Sequence, residues 1–275
     1  MSVPAFQGLA KGLEGAGAAT GDTVVTAEAK FDPASQLQTI QQWVKLGQID
    51  ALWVIPVAAP TLTPALKEAQ AKGIVVIAGG KPSDYGLTEG QPGITFSDTD
   101  NTAYGKGIGD LMAKCVNERL GGTAKVLFVA NSAAQASSKL INDGATSALA
   151  AGAPGATITQ TVNAKNDRAA DQTVISTALQ ANPDSQGLFT GDAESTMAAV
   201  NAYTSAGKDL TKLCIVGNGG TDEQQKAIEE GKLYGVVAFD FAGDMGQNQA
   251  KLHSMAADPT APGTQLTVPI TTIGG

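Results

Sequence analysis

The sequence predicts an α/β fold of two lobes, each a parallel sheet with helices on both faces. Three observations predict it. Short apolar runs alternate with segments of helical periodicity along almost the whole chain. The alternation falls into two series of four or five strands each. The 275 residues suffice for one large or two medium domains.

The first series opens with a helix over 4–20, with Pro4 in its first turn and Gly21 after it. DTVVTAEA (22–29) reads as a strand. Leu37, Ile40, Val44 and Leu46 recur at helical spacing, and Gly47 ends that helix. ALWVIPV (51–57) is the apolar run expected of a strand covered on both faces. A helix over 63–72, a strand over 73–79, a polar loop and a short strand over 93–97 follow. The second series begins after a helix over 102–120. It places strands at 125–131, 156–162, 186–191, 212–217 and 234–240, separated by helices at 136–151, 168–182, 193–206 and 221–230. A helix near 243–257 and one terminal strand near 266–273 close the chain. Residues 50–80 and 184–220 echo each other as strand, helix, glycine, strand. Either any two such units look alike, or both lobes follow one plan.

Composition narrows the function. Hydrophobic residues make up 43% and charged residues 16%, a globular balance. No run approaches the ~20 apolar residues of a spanning helix. The net charge is −8, with only 18 Lys and Arg and no basic cluster, which argues against nucleic acid as partner. A single histidine, His253, argues against His-based catalysis or a His-rich metal site. There is no phosphate loop, nucleophile elbow or HExxH motif, so no cofactor and no metal are expected. GKGIG (105–109) lacks the last glycine of a dinucleotide fingerprint and reads as a helix surface made for close packing. Trp43 and Trp53 read as core residues. Cys115 and Cys214 fit no zinc or CxxC spacing; they are two buried thiols or, in an exported protein, one disulfide. The start MSVPAFQGLAKG shows no export signal, so an exported protein would carry that signal outside these residues or have lost it.

In open α/β sheets, ligands gather at the carboxyl ends of the strands. Those positions here hold Gly79-Gly80-Lys81, Asp98, Asp100, Asn101, Asn131, Asn166, Gly191-Asp192, Asn218 and Phe239-Asp240. Asn and Asp bond hydroxyl groups, and an aromatic face covers the C–H face of a sugar. Such an edge suits a small, neutral, polyhydroxylated ligand. The competing reading is that these residues cap the following helices. Capping is favoured for Asp98, Asp100 and Asn101, and ligand contact for Asp192 and Asp240.

The order of these elements resembles the ribose-type periplasmic sugar-binding proteins, the solute receptors of ABC transporters. PAFQGLAKGLEGAGAATG (4–21), FDPASQLQTIQQWVKLGQIDALWVIPV (31–57), SDTDNTAYGKGIGDLM (97–112) and IVGNGGTDEQQKAIEEGKLYGVVAFDFAGDMG (215–246) carry the resemblance. It implies two Rossmann-like lobes joined by a three-crossing hinge and closing on a sugar. The N-terminal lobe would take 1–101 plus 241–264, and the C-terminal lobe 102–240 plus 265–275. Crossings would fall near Asp100-Asn101, Asp240-Phe241 and Gly263-Leu266. The family's opening strand, which should precede Pro4, is missing; upstream residues are omitted or another segment fills its place. The family's ribose-holding Asp-Arg pair reads Gly80-Lys81 here. The Asp of its GFDG motif reads Gly219, and a buried arginine position reads Ile141. These departures argue against ribose itself.

The aligned positions that remain are Phe6, Lys81, Asn166, Asp192, Asn218 and Asp240, with Phe239 beside the last. This set implies a small sugar or a sugar alcohol as ligand. It implies a non-enzymatic, monomeric receptor that works outside the cytoplasm with a membrane permease. A Cys115–Cys214 disulfide would then staple the C-terminal lobe alone. Rivals are a chemotaxis or quorum-signal receptor of the same fold, the effector domain of a lactose-repressor-type regulator, and an enzyme using Asp192 and Asp240 as an acid/base pair.

Overall fold

A computed structural model describes residues 4–131 and 136–275, and of residues 4–9 and 136 only their place in a helix. The chain divides into two compact units. The first takes residues 1–99 and 240–269, and the second 100–239 and 270–275. The chain therefore passes between them three times.

The first unit holds a four-stranded parallel sheet in the order β1-β2-β3-β9. These strands are β1 (Ala51–Val54), β2 (Val75–Gly79), β3 (Ile94–Asp98) and β9 (Gln265–Thr267). Helices α2 (Pro33–Leu46) and α3 (Ala59–Ala71) cover one face, burying Ile40, Val44, Leu62 and Leu66 against Leu52, Val76 and Phe96. Helix α9 (Phe241–Ala256) covers the other, with Leu252 and Met255 against Val75 and Ile77. Helix α1 (Pro4–Thr20) packs beside α9. Local chemistry sets the ends of α2. Asp32 Oδ1 accepts the Ala34 N–H at 3.0 Å, Pro33 opens the first turn, and Gly47 stops the helix at φ 61°.

The second unit holds six strands in the order β10-β8-β7-β6-β4-β5. They are β4 (Thr123–Ala130), β5 (Gly155–Asn163), β6 (Gly187–Thr190), β7 (Cys214–Asn218), β8 (Gly235–Phe239) and β10 (Ile270–Gly274). All pairs are parallel except β10 with β8. Helices α4 (Asn101–Leu120) and α5 (Ala136–Gly152) cover one face, and α6 (Arg168–Ala181), α7 (Ala193–Ser205) and α8 (Asp222–Glu229) the other. The glycines of GKGIG are packing devices, as the sequence suggests. A Cβ on Gly105 would stand 2.2 Å from the Ile141 carbonyl oxygen, and one on Gly109 2.2 Å from that of Ala145. Only glycine lets α4 and α5 approach so closely. Cys115 and Cys214 form a disulfide that joins α4 to the start of β7. The echoing segments fold alike: β1-α3-β2 and β6-α7-β7 are both βαβ units with adjacent parallel strands.

Four expectations are corrected. Residues 22–29 form no strand, although their sequence favours one. A strand needs a partner's backbone, and no described strand pairs with them. β1 stops at Val54 rather than Val57, because Pro56 has no N–H to donate. The Gln36 side chain takes over there, donating to Ile55 O at 2.8 Å and accepting from Val57 N at 2.8 Å. α3 starts at Ala59 rather than 63, since Pro64 lies in the second turn and forfeits a single helical bond. The terminal strand is two strands split at Val268-Pro269. β9 pairs with β3, so residues up to Pro269 join the first unit, and the third crossing falls there rather than near 263–266.

Candidate functional site

Each unit presents the carboxyl ends of its strands as a candidate edge. On the second unit, β6 ends at Thr190 and the chain turns through Gly191 and Asp192 into α7. Asp192 is the N-cap: its Oδ1 accepts the Ser195 N–H at 2.7 Å. The Gly191 carbonyl accepts two amides, Asn218 Nδ2 at 3.0 Å and Asn131 Nδ2 at 3.3 Å. It thereby locks the ends of β4, β6 and β7 to one another. Asn131 Oδ1 is buried and has no partner among the described residues.

Phe239 ends β8 and stacks on Tyr104 of α4, with ring centroids 4.5 Å apart and planes 15° from parallel. Tyr104 is buried, and its hydroxyl donates to Val237 O at 3.2 Å. Burial pushes its phenol well above the ordinary value, and the nearby Asp192 carboxylate adds to the rise. Asn166 is exposed in the loop after β5 and sits in the left-handed region at φ 55°. Asparagine tolerates that conformation better than most residues. The second unit thus brings Asp192, Asn218 and Phe239 to one sheet edge, with Asn166 on the neighbouring loop.

On the first unit, Lys81 follows β2 and is exposed; its Nζ lies 3.6 Å from Asp98 Oδ2 at the end of β3. Asp240 is the N-cap of α9, accepting the Gly243 N–H at 2.8 Å, while its own N–H donates to Pro269 O at 2.8 Å. One turn on, Asp244 is buried and accepts from Ser97 Oγ at 3.4 Å and Gln247 Nε2 at 3.0 Å. Burial holds its carboxyl above the ordinary range. The Phe6 side chain lies outside the described residues.

Asp192 and Asp240, favoured for ligand contact, are both helix caps in the structure, each spending one carboxylate oxygen on the cap. Asp100 is a cap as expected, accepting from Ala103 N at 2.8 Å. Asp98 caps no helix and pairs with Lys81 instead. Tyr104, Asp244 and Asp171 are helical residues whose place at an edge depends on which turn faces the sheet. Their signal was weak: one polar or aromatic residue on an otherwise apolar face. Among the described residues, no cluster of His, Cys, Asp or Glu is placed to hold a metal ion, and no helix is long and apolar enough to cross a membrane.

Residues 2–258 match the family described as periplasmic binding protein domain. The ribose import binding protein of Bacillus subtilis is 26% identical over 253 residues, spanning 86% of this chain and 72% of the relative. That of Escherichia coli K12 is 28% identical over 235 residues, spanning 86% and 75%. Among solved structures, an arabinose binding protein from Geobacillus stearothermophilus superposes with a TM-score of 0.77 at 18% identity, over 99% of this chain and 93% of its own. A periplasmic solute binding protein from Actinobacillus succinogenes with bound D-allose gives 0.75 at 20% identity, over 100% and 94%. The Caulobacter myo-inositol binding protein gives 0.69 at 21%, over 100% and 90%. At these identities the superpositions carry the fold, and with the family match over nearly the whole chain they lead to one assignment: this chain belongs to the periplasmic binding protein domain family.

Proposed function

We propose that this chain is the solute-binding receptor of an ABC transporter, taking a small neutral sugar or sugar alcohol at the carboxyl ends of its strands. The observation that carries the reading is the second unit's edge. Two asparagine amides and a capping aspartate meet there at the Gly191 turn, and Phe239, stacked on Tyr104, ends the strand next to that of Asn218. Hydroxyl groups can donate to the carboxylate oxygen that the cap leaves over, and C–H groups can pack on Phe239. Lys81 and Asp240 of the first unit complete the proposed set, with Asn166 and Phe6. No covalent step is needed, and the receptor returns its solute unchanged.

Homologous ribose import proteins and sugar-bound structural relatives support the solute class. A polyol is preferred over ribose because Gly80-Lys81 and Gly219 stand where ribose anchors would be. The Cys115–Cys214 disulfide supports a site of action outside the cytoplasm, where such bonds persist. A permease would be the membrane partner. The test is a thermal-shift screen against pentoses, hexoses and sugar alcohols of four to six carbons. A ligand at one hundred times its dissociation constant stabilises the fold by about 2.7 kcal/mol. A shift with one class, with the ligand recovered intact, is expected. No shift with any of them would refute the solute class, and a hexose binding while no polyol does would refute the preference.

A further inference from the structure

Asp171 lies in the first turn of α6 and has no exposed surface. Capping does not account for it, because Asp167 already caps α6 by accepting the Ala170 N–H at 2.9 Å. The two oxygens of Asp171 point to two different segments. Oδ1 accepts the Lys165 N–H at 2.6 Å, and Oδ2 accepts from Ser195 Oγ at 2.9 Å. Lys165 immediately precedes Asn166, the residue held at φ 55°. Ser195 is also fully buried, and its own N–H donates to Asp192 Oδ1 at 2.7 Å. A carboxylate withdrawn from water is costly unless its bonds are made, so this one resists loosening of either segment. A second tie runs parallel at the surface: Arg168 Nε meets Glu194 Oε2 at 2.8 Å, and its Nη1 meets Glu223 Oε2 at 2.9 Å.

We infer that Asp171 and Ser195 are positioning residues: the buried pair sets the spacing between the Asn166 loop and the Asp192 turn, and with it the size of solute the second unit accepts. The size selection rests on the proposed ligand role of Asn166 and Asp192; the coupling of the two segments does not.

Two measurements on the full chain separate these parts. The first is amide hydrogen exchange without ligand, on Ser195→Ala, Asp171→Ala and Asp171→Asn. Ser195→Ala and Asp171→Ala should speed exchange at Lys165 and Ser195 by roughly tenfold, while Leu188 and Val216 in the strands keep their protection. Asp171→Asn retains an acceptor for Lys165 and should show a smaller rise. Ser195→Ala removes one oxygen from a helix and keeps the measurement possible if Asp171→Ala does not fold. Unchanged rates at Lys165 in a folded Ser195→Ala protein would overturn the coupling. The second is calorimetric affinity for xylitol, myo-inositol and D-ribose. Ser195→Ala should change the ratio of affinities among those the parent binds by about fivefold or more, an effect that mere loss of stability does not produce. An unchanged ratio would overturn the size selection. If the parent binds none of the three, solutes of different size that it binds in the thermal-shift screen take their place; if it binds none there, the proposed ligand reading falls and the size selection with it, while the exchange result decides the coupling.

Discussion

The two units build their strand-end edges by unequal means. Both cover their sheets with helices on both faces, but the second has six strands, a disulfide and an edge whose polar groups are held by other polar groups. The first has four strands, and β1 has no described neighbour on its outer side. Val25, Phe31, Leu46 and Ile55, four of its apolar side chains, are exposed. At its edge, Lys81 rests on a surface ion pair and Asp240 on a cap. The contrast teaches that similar residue types at strand ends differ in how firmly they are aimed. Aim comes from the bonds behind the residue, and those are tertiary.

The largest expected effect falls on the second unit. Replacing both cysteines, Cys115→Ala with Cys214→Ala, should cost about 2–5 kcal/mol, because the bond closes a long loop. Calorimetric unfolding checks it, and a loss under about 0.5 kcal/mol would show that the six-stranded core needs no staple. Next comes the aim of the edges. Asp192→Ala should weaken solute binding by about 2–3 kcal/mol and remove a cap, whereas breaking the exposed pair with Lys81→Ala should alter stability by less than about 0.5 kcal/mol. Equal effects in titration and unfolding would erase the distinction between the two edges.

A third comparison sets glycine against glycine. Gly109→Ala should destabilise by about 1–3 kcal/mol, since its Cβ meets the Ala145 carbonyl, while Gly15→Ala in α1 meets nothing within 4 Å and should gain about 0.5–1 kcal/mol. Denaturant midpoints decide, and the idea fails if both move the same way.

The smallest effect concerns Asp244. Its carboxyl binds a proton more tightly folded than unfolded, so the first unit loses stability as pH rises from 3.8 through the raised folded value. Asp244→Asn keeps the oxygen that Ser97 and Gln247 bond and never ionises. The variant should be the more stable at pH 7, with the advantage vanishing below pH 3.8, where both states of the parent are protonated. An advantage that persists at low pH would assign the gain to packing instead.

The sequence alone determined the two series of αβ units, most helix ends and the small face of GKGIG, because each follows from neighbours a few residues apart; that Ile141 and Ala145 of α5 pack on that face came from the tertiary structure. Gly47 ends α2 in the left-handed region, and Asp32 caps its start. It also brought Asp192 and Asn218 to notice through their place after strands. The tertiary structure alone decided what depends on a distant partner. Residues 22–29 are strand-like in composition but join no described sheet; Gln265–Thr267 joined the first sheet because β3 offers its edge. Asp98 turned from a cap into the partner of Lys81, and Asp171 bonds both Lys165 before its helix and Ser195 in α7, contacts that only the folded chain supplies. Helical periodicity is written locally, whereas a strand or an aimed carboxylate is completed only by the chain that folds against it.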